Sequence, residues 1–401
     1  MKNSCPNCQS VHLESFYSVL NVPVHSVMLM ESADEAINFP KRNLELAFCH
    51  NCGFIHNAIF DPDIQEYNAK CEETQGFSDT FNRFHQSLAE RLIAKHDLHQ
   101  KTVLEIGCGK GEFIAMLCEL GDNVGYGFDP AFVPERNPDN LGKVEFIMDL
   151  YSEKYSQYKA DFVCCKMTLE HIPNTLEFMK IVREAIGENR DTIVFFQIPE
   201  AGRVLKDLGF WDVYYEHCSY FSPESLEYLF RRAGFEVLEI ATEYDDQYLM
   251  IEAKPSKTTE SDDEININIL EIKELFNHYK TNISELLNKW KDILQSYVRN
   301  GKKIVIWGGG SKAVAFMTTL EIEQEIKYIV DINPYKHNHY LPGTGQKVVA
   351  PNFLVEYQPD VVLLMNPIYE VEVSRDLNVL GLNPVILPID FLSKEYLEIE
   401  K

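Results

Sequence analysis

Short apolar runs alternate with helix-spaced stretches through the middle of the chain. FSDTFNRFHQSLAERLIAKH sets Phe81, Phe84, Leu88 and Leu92 on one stripe and predicts a helix. VLEIG (103–107) then reads as a buried strand running into glycines, and NVGYGFD, VEFIMD, DFVCCKM and TIVFFQI repeat the short apolar run. Such strands separated by helical segments predict a parallel sheet covered on both faces. LEYLFRRAGFEVLEI (226–240) predicts a helix, a glycine stop and a strand, and DQYLMIEAKP (246–255) a last strand. The first sixty residues contain no long periodic helix.

SKTTESDDE (256–264) is polar and acidic and reads as a linker or exposed turn. After it, Ile269, Ile272, Leu275, Tyr279, Ile283, Leu286, Trp290, Ile293 and Tyr297 form an amphipathic helical stripe ending near Gly301. It predicts a long helix packed between domains, with a dimerising coiled coil as the alternative. A second alternating system opens at KKIVIWGGGSK (302–312), and IKYIVD (326–331) and DVVLLMN (360–366) supply further strands of a smaller α/β domain.

Composition narrows the setting. The 401 residues are 45% apolar and 25% charged, as in ordinary folded proteins, with a net charge of −25. That field repels phosphate backbones and anionic bilayers, so neither nucleic acid nor membrane is an expected partner. A small phosphorylated ligand needs only a local cluster of donors and stays admissible. A run of about eighteen apolar residues, enough to span a bilayer, does not occur, and MKNSCPNCQS lacks the pattern of a signal peptide. A cytoplasmic protein, monomeric or homodimeric, is expected.

Of the ten cysteines, Cys5, Cys8, Cys49 and Cys52 form two C-x-x-C pairs. A two-residue gap lets both thiolates face one ion from a tight turn, and two such turns complete a tetrahedron, usually around zinc. Four thiolates leave no open position, so the expected role is structural. His50 and His56 are the nearby alternative ligands. Cys164 and Cys165 read as strand core.

In VLEIGCGKGEF, Gly107 permits a sharp turn from strand to helix, and Gly109 and Gly111 let a ligand approach the backbone. Asp129, ending the next strand in YGFDP, is placed to accept ribose hydroxyls, and Asp149, ending VEFIMD, an adenine amino proton. A dinucleotide and S-adenosylmethionine compete for this pattern. Glu105 is awkward beside a pyrophosphate but suits a cationic amino-acid moiety, which favours S-adenosylmethionine.

YYEHCSY (214–220) gathers Tyr214, Glu216 and His217 between further aromatics. Alone it reads equally as an aromatic cluster with a buried histidine.

The order C-x-x-C…C-x-x-C, EIGCGKG, LEHIP, Y-x-E-H and a glycine-rich C-terminal domain resembles the zinc-containing C-methyltransferases of nucleotide-linked keto sugars. VIWGGGSKAVAF, YIVDINPYK and YLPGTGQKVVAP extend the resemblance over nearly the whole chain. It implies an α/β protein: a small N-terminal zinc-binding module (1–65), a class I methyltransferase (Rossmann-like) central domain (66–255), a linker and long helix (256–300), and a smaller Rossmann-like C-terminal domain (301–401) on the substrate side. It also implies a base that removes the proton beside a sugar ketone, the enolate carbon then taking the methyl group. His217 is carried over as that base, with Glu216 and Tyr214 beside it, and His171 of LEHIP matches an active-site position. The family often carries a tyrosine before the first methyltransferase helix. Here that segment reads YNAKCEETQGFS, with Cys71 at the expected place and Tyr67 further upstream than the pattern asks.

Neutral histidine is available as a base near pH 7. On this reading Glu216 orients its ring, and Tyr214 and His171 donate hydrogen bonds to the enolate. Tyr215 and Tyr220 read as walls, and nothing marks Cys218 as an activated nucleophile. In GGGSK, Gly308, Gly310, Ser311 and Lys312 are candidates to hold a nucleotide diphosphate at a helix start. The alternatives are O- or N-methylation of another small molecule and a non-catalytic zinc-bearing scaffold.

Overall fold

The computed structural model describes residues 4–137, 142–257, 265–322 and 325–397. Residues 258–264 of the expected acidic linker lie outside them. Strands β1 (Leu13–Pro23), β2 (Lys41–Cys49) and β3 (Ile55–Asn57) form an antiparallel N-terminal sheet. The sequence pattern gave no warning of β1 and β2. Register shifts between Ser15 and Tyr17 and between Val19 and Val22 break the two-residue period that would have marked β1.

The middle of the chain supplies β4 (Thr102–Ile106), β5 (Val124–Phe128), β6 (Val144–Ile147), β7 (Phe162–Lys166) and β8 (Ile193–Pro199), then β9 (Ser219–Tyr220), β10 (Phe235–Glu243) and β11 (Tyr248–Pro255). All except β9 join one seven-stranded sheet in the order β10-β11-β8-β7-β4-β5-β6. Strands β4 to β8 pair in parallel as expected. The last two do not: β11 runs antiparallel to both β8 and β10. Residues 244–247, three of them at positive φ, are all that separates β10 from β11, too short a link for a parallel crossover. The predicted first helix is Asp79–His96, and Phe81, Leu88 and Leu92 of its stripe are buried. A second helix, Glu112–Gly121, starts at the first glycine run.

Strand β9 leaves this sheet and pairs with β3, so the YYEHCSY segment ends inside the N-terminal sheet. The C-terminal part builds an all-parallel sheet from β12 (Ile304–Trp307), β13 (Ile326–Val330), β14 (Lys347–Val349), β15 (Val361–Leu364) and β16 (Val385–Pro388), in the order β14-β13-β12-β15-β16.

The long helix is Leu270–Arg299, with Ile272, Phe276, Tyr279, Ile283, Leu286, Trp290 and Leu294 buried. Phe276 stacks on Phe48 of β2 at 4.5 Å, and Trp290 meets Phe316 beyond β12 edge-on at 5.3 Å. One apolar cluster thus joins the N-terminal sheet, the helix and the C-terminal sheet. The stripe is used inside the chain, which removes the basis of the coiled-coil alternative. Among the described residues no helix is long and apolar enough to cross a membrane.

Candidate active site

Parallel strands open their C-terminal ends on one edge of the sheet, where ligands bind in such folds. A cavity of about 710 Å³ lies there, lined by all three parts of the chain. Gly107, Gly109 and Gly111 have φ of +70°, +55° and +81°, the left-handed region that suits glycine. A Cβ on Gly107 would fall 1.9 Å from Thr168 Oγ1, and one on Gly111 2.5 Å from the Phe146 ring. The loop is therefore both turned and closely packed.

Asp129 follows β5 directly. Its Oδ2 accepts from Gly109 N at 2.9 Å and its Oδ1 from Ala131 N at 2.7 Å, so it shapes the loop as well as facing the cavity. Burial raises its pKa. Glu105 is buried in β4 and its Oε2 accepts from Ile114 N at 3.0 Å, holding the first turn of the second helix. Burial pushes it up to about 7. Asp149 sits at the rim, its carboxylate bound by Lys154 and Tyr155, which hold its pKa below the usual range.

At the other end of the cavity, residues 214–218 form a tight turn, with His217 N donating to Tyr214 O at 3.2 Å. Asn57 N donates to Cys218 O at 3.0 Å, and Ser219 Oγ to Ile172 O at 2.8 Å, which fixes the turn against β3 and the LEHIP loop. His217 is 4% exposed, its ring centroid 4.1 Å from that of Tyr214 and 4.8 Å from that of His171. Burial, with His171 and Lys312 nearby, holds its pKa well below 6.5, so the ring is neutral at pH 7.

One expected role needs correction. Glu216 does not orient His217. Its Oε1 accepts from Ser26 N at 2.7 Å and from Ser26 Oγ, which anchors the turn to the N-terminal module. Neighbouring side chains diverge, and the turn sends Glu216 away from the ring. His171 lies in the cavity, its Nδ1 3.1 Å from the Glu216 carbonyl and 3.0 Å from the Tyr67 hydroxyl. Burial lowers its pKa to about 4.

Tyr67, upstream of the expected tyrosine position, is nonetheless in the site: its hydroxyl is 3.0 Å from His171 Nδ1. Cys71, which occupies that position in sequence, is also on the cavity wall, 3.7 Å from His25 Nε2. Next to His171 in the LEHIP loop is Glu170. It is 1% exposed, and both its carboxyl oxygens are buried without a hydrogen-bond partner. A ligating atom of Glu170 lies within 4.8 Å of those of His171 and His217. Burial pushes it up to about 8, so it is a neutral acid at pH 7. Tyr215 and Tyr220, read as walls, are instead buried in the apolar core and are not among the residues lining the cavity.

Gly308, Gly310, Ser311 and Lys312 line the opposite wall, at the start of the helix Ser311–Thr319. Lys312 is not a free cation, because it forms an ion pair with Asp212. Ser311 Oγ lies 2.7 Å from Ser26 Oγ, so Ser26 links the glycine loop to Glu216. Gln247 and Asn366 exchange two amide hydrogen bonds of 2.9 and 3.1 Å, and Tyr369 donates to Gln75 at 2.9 Å, which holds this wall against the central sheet.

Away from the cavity, the sulfurs of Cys5, Cys8, Cys49 and Cys52 converge within 4.8 Å of one another. The Cys8–Cys49 and Cys5–Cys52 separations are 3.4 and 3.8 Å. A tetrahedron with bonds of about 2.3 Å has edges of about 3.8 Å, so the set fits a zinc ion. His50 is bound to Glu14 at 2.8 Å instead, and His56 stacks beside Phe54; neither joins the four.

The central sheet has the class I, Rossmann-like methyltransferase fold, and the family matches make the chain an S-adenosylmethionine-dependent methyltransferase. Residues 52–240 match the family described as a methyltransferase domain, and residues 252–381 one described as a C-methyltransferase C-terminal domain. The chain is 21% identical over 345 residues to the C-methyltransferase NovU of Streptomyces niveus, covering 80% of each. Among solved structures it is similar to the 1,6-didemethyltoxoflavin-N1-methyltransferase of Burkholderia thailandensis (18% identity, TM-score 0.35, 43% of this chain and 79% of that one). It is also similar to the magnesium protoporphyrin IX methyltransferase of Synechocystis PCC 6803 (20%, 0.34, 44% and 84%).

The packing at Gly107 makes a direct prediction. Gly107→Ala should weaken S-adenosylhomocysteine binding more than about tenfold, because the added methyl meets Thr168 and the positive φ is strained. Calorimetric titration checks it.

Proposed function

We propose that this methyltransferase transfers a methyl group to carbon, next to the ketone of a nucleotide-linked sugar, through an enolate made by His217. The observation that carries the reading is a neutral, buried His217 in the cavity, beside Tyr214, His171 and a neutral Glu170. Carbon acids need a base and a hydrogen-bond donor for the oxygen that gains charge; hydroxyl methylation makes less demand on the latter. His217 takes the proton from the carbon beside the ketone, and the electron pair moves to the ketone oxygen. Glu170, with Tyr214, supplies the donor there. His171 accepts from a sugar hydroxyl and holds the substrate in register. S-adenosylmethionine, held by Gly107, Gly109, Gly111, Glu105 and Asp129 with Asp149 at the rim, supplies the electrophilic methyl group when bound.

We assign residues 1–65 to a zinc module, 66–255 to the methyltransferase domain, 256–300 to the linker and long helix, and 301–401 to the substrate side. A zinc ion on Cys5, Cys8, Cys49 and Cys52 is structural on this reading, since four thiolates leave no open position. Gly308, Gly310 and Ser311 offer the diphosphate contact, with Lys312 available only at the expense of its Asp212 pair.

Mass spectrometry and NMR of products from a panel of nucleotide keto sugars test the function; a methyl group on oxygen, or no turnover on any member, rejects it. Glu170→Ala should lower kcat by about 10²–10³-fold, the usual cost of losing an oxyanion donor, and Glu170→Gln, which keeps a donor, should recover part of it. Equal loss in both variants would remove Glu170 from this role.

A second reading rests on the same cluster. Glu170, His171 and His217 also form a two-histidine, one-carboxylate donor set that suits a divalent cation, which would favour methylation of a hydroxyl. Metal analysis separates the two: one zinc per chain fits the first, and a second bound cation needed for turnover fits the other.

A further inference from the structure

Residues 71–73 touch both ligand sides of the cavity at once. They lie in the irregular stretch between the short turn Pro62–Ile64 and the helix Asp79–His96, pinned to the N-terminal module by a 2.9 Å bond from Glu72 N to Val27 O. The Cys71 carbonyl accepts from Lys110 Nζ at 2.8 Å, and Lys110 also donates to Ala131 O at 2.8 Å. Glu73 reaches over the glycine loop: a Cβ on Gly109 would fall 2.9 Å from its Oε1. Between them, Glu72 is 3% exposed and makes a bridge. Its Oε2 accepts from Arg136 Nη1 at 2.8 Å. Its Oε1 accepts from Asn333 Nδ2 at 2.8 Å and from Arg136 Nη2 at 3.4 Å.

The two donors come from matching places in the two α/β sheets. Arg136 follows β5, in the loop that carries Asp129, and Asn333 follows β13. Asn333 N donates to Asp331 Oδ1 at 2.8 Å, and Asp331 Oδ2 accepts from Gly309 N at 2.8 Å, so Asn333 is set by the second glycine loop. Arg136 also lies over the Tyr335 ring, 3.7 Å from its centre. One buried carboxylate thus ties the cofactor-side loop to the C-terminal loop. If the loops part, Glu72 loses a donor while still out of water, which is costly.

We propose that Glu72 is a positioning residue that couples the two sites, so that a nucleoside diphosphate on the C-terminal wall tightens the cofactor side. This rests on that wall being the substrate side. Each ligand holds its own loop: the cofactor at Asp129, the diphosphate at Gly308–Ser311. The first to bind fixes one end of the bridge, and the second meets a loop already set. Such coupling is reciprocal and typically spans about 5–150-fold. It suits a two-substrate transfer, because the sulfonium is then held tightly only while an acceptor is present.

The test is calorimetry on the full chain at pH 7 with S-adenosylhomocysteine, alone and with saturating uridine, thymidine, guanosine or adenosine diphosphate. At least one diphosphate should tighten S-adenosylhomocysteine by about fivefold or more, and be tightened by the same factor in return. Asn333→Asp keeps the oxygen that accepts from Tyr335 N at 2.9 Å and replaces the donor with a carboxylate facing Glu72. It should bind S-adenosylhomocysteine alone within about twofold of the unaltered protein and cut the coupling to about twofold or less. Adding Glu72→Gln to Asn333→Asp exchanges donor and acceptor across the bridge and should recover part of the coupling, which a merely structural role would not produce. Independent binding of the two ligands by the unaltered protein overturns the proposal, as do full coupling in Asn333→Asp and no recovery in the double variant. Failure of every diphosphate to bind, with S-adenosylhomocysteine still bound, overturns the nucleotide reading of the C-terminal wall and the proposal with it.

Discussion

His217→Ala should lower turnover by about 10²–10⁴-fold, the usual contribution of a positioned general base, and leave S-adenosylhomocysteine affinity within about threefold. The second half matters as much as the first. His217 sits on the turn Tyr214–Cys218, held by Asn57, Ser26 and Ile172 through groups other than its own ring. Truncating the ring therefore removes the proton acceptor without releasing the turn. Single-turnover assays with calorimetry give both numbers, and full retained activity would remove His217 as the base. The pH profile provides an independent reading. A base with a pKa near 6.5 loses activity as pH falls through that value. Burial and the adjacent His171 and Lys312 set His217 well below it, so the acid limb belonging to His217 should lie clearly under pH 6.5.

Loss of the cysteine cluster should be as damaging, although the cluster is not part of the cavity. Cys49→Ser, or removal of metal by a strong chelator, should unfold the N-terminal module and abolish turnover. Structural zinc contributes on the order of 10 kcal/mol to small modules of this kind. The damage has a defined route. The first knuckle docks through Asn7, whose side chain donates to Ser225 O at 2.9 Å and whose carbonyl accepts from Arg232 at 2.8 Å. The second runs from β2 into β3, which pairs with β9 directly after His217. The same module supplies Ser26 to Glu216. Metal content, near-ultraviolet circular dichroism and turnover should fall together. A fully active, metal-free protein would show that the four sulfurs need no ion.

Local pattern made much of this legible. The helix Asp79–His96, the alternation of β4 to β8 and the long helix follow from spacing, because each buries one face and the period survives in the residues. Gly107, Gly109 and Gly111 were readable because left-handed backbone selects glycine. The cysteine pairs were readable because their reach is set by two-residue turns. The antiparallel end of the central sheet was missed, since strand direction depends on connection length and not on strand composition. Tyr67 was placed too far away by counting along the chain, yet its hydroxyl meets His171.

The sequence by itself determined which groups exist and the local geometry they need: four thiols in two turns, a glycine loop between strand and helix, acids after strands, and histidines in LEHIP and YYEH. Only the tertiary structure decided their partners. It turned Glu216 to Ser26 instead of His217, set His171 Nδ1 between the Glu216 carbonyl and the Tyr67 hydroxyl, matched Lys312 with Asp212, and left the Glu170 carboxyl buried without a hydrogen-bond partner. The physical reason is that these properties arise from desolvation and from contacts between segments remote in sequence. Ser26 and Glu216 are 190 positions apart, and Lys166 and His85 are 81 apart. No local period encodes such a meeting, and a group's charge state is set by what folding brings beside it.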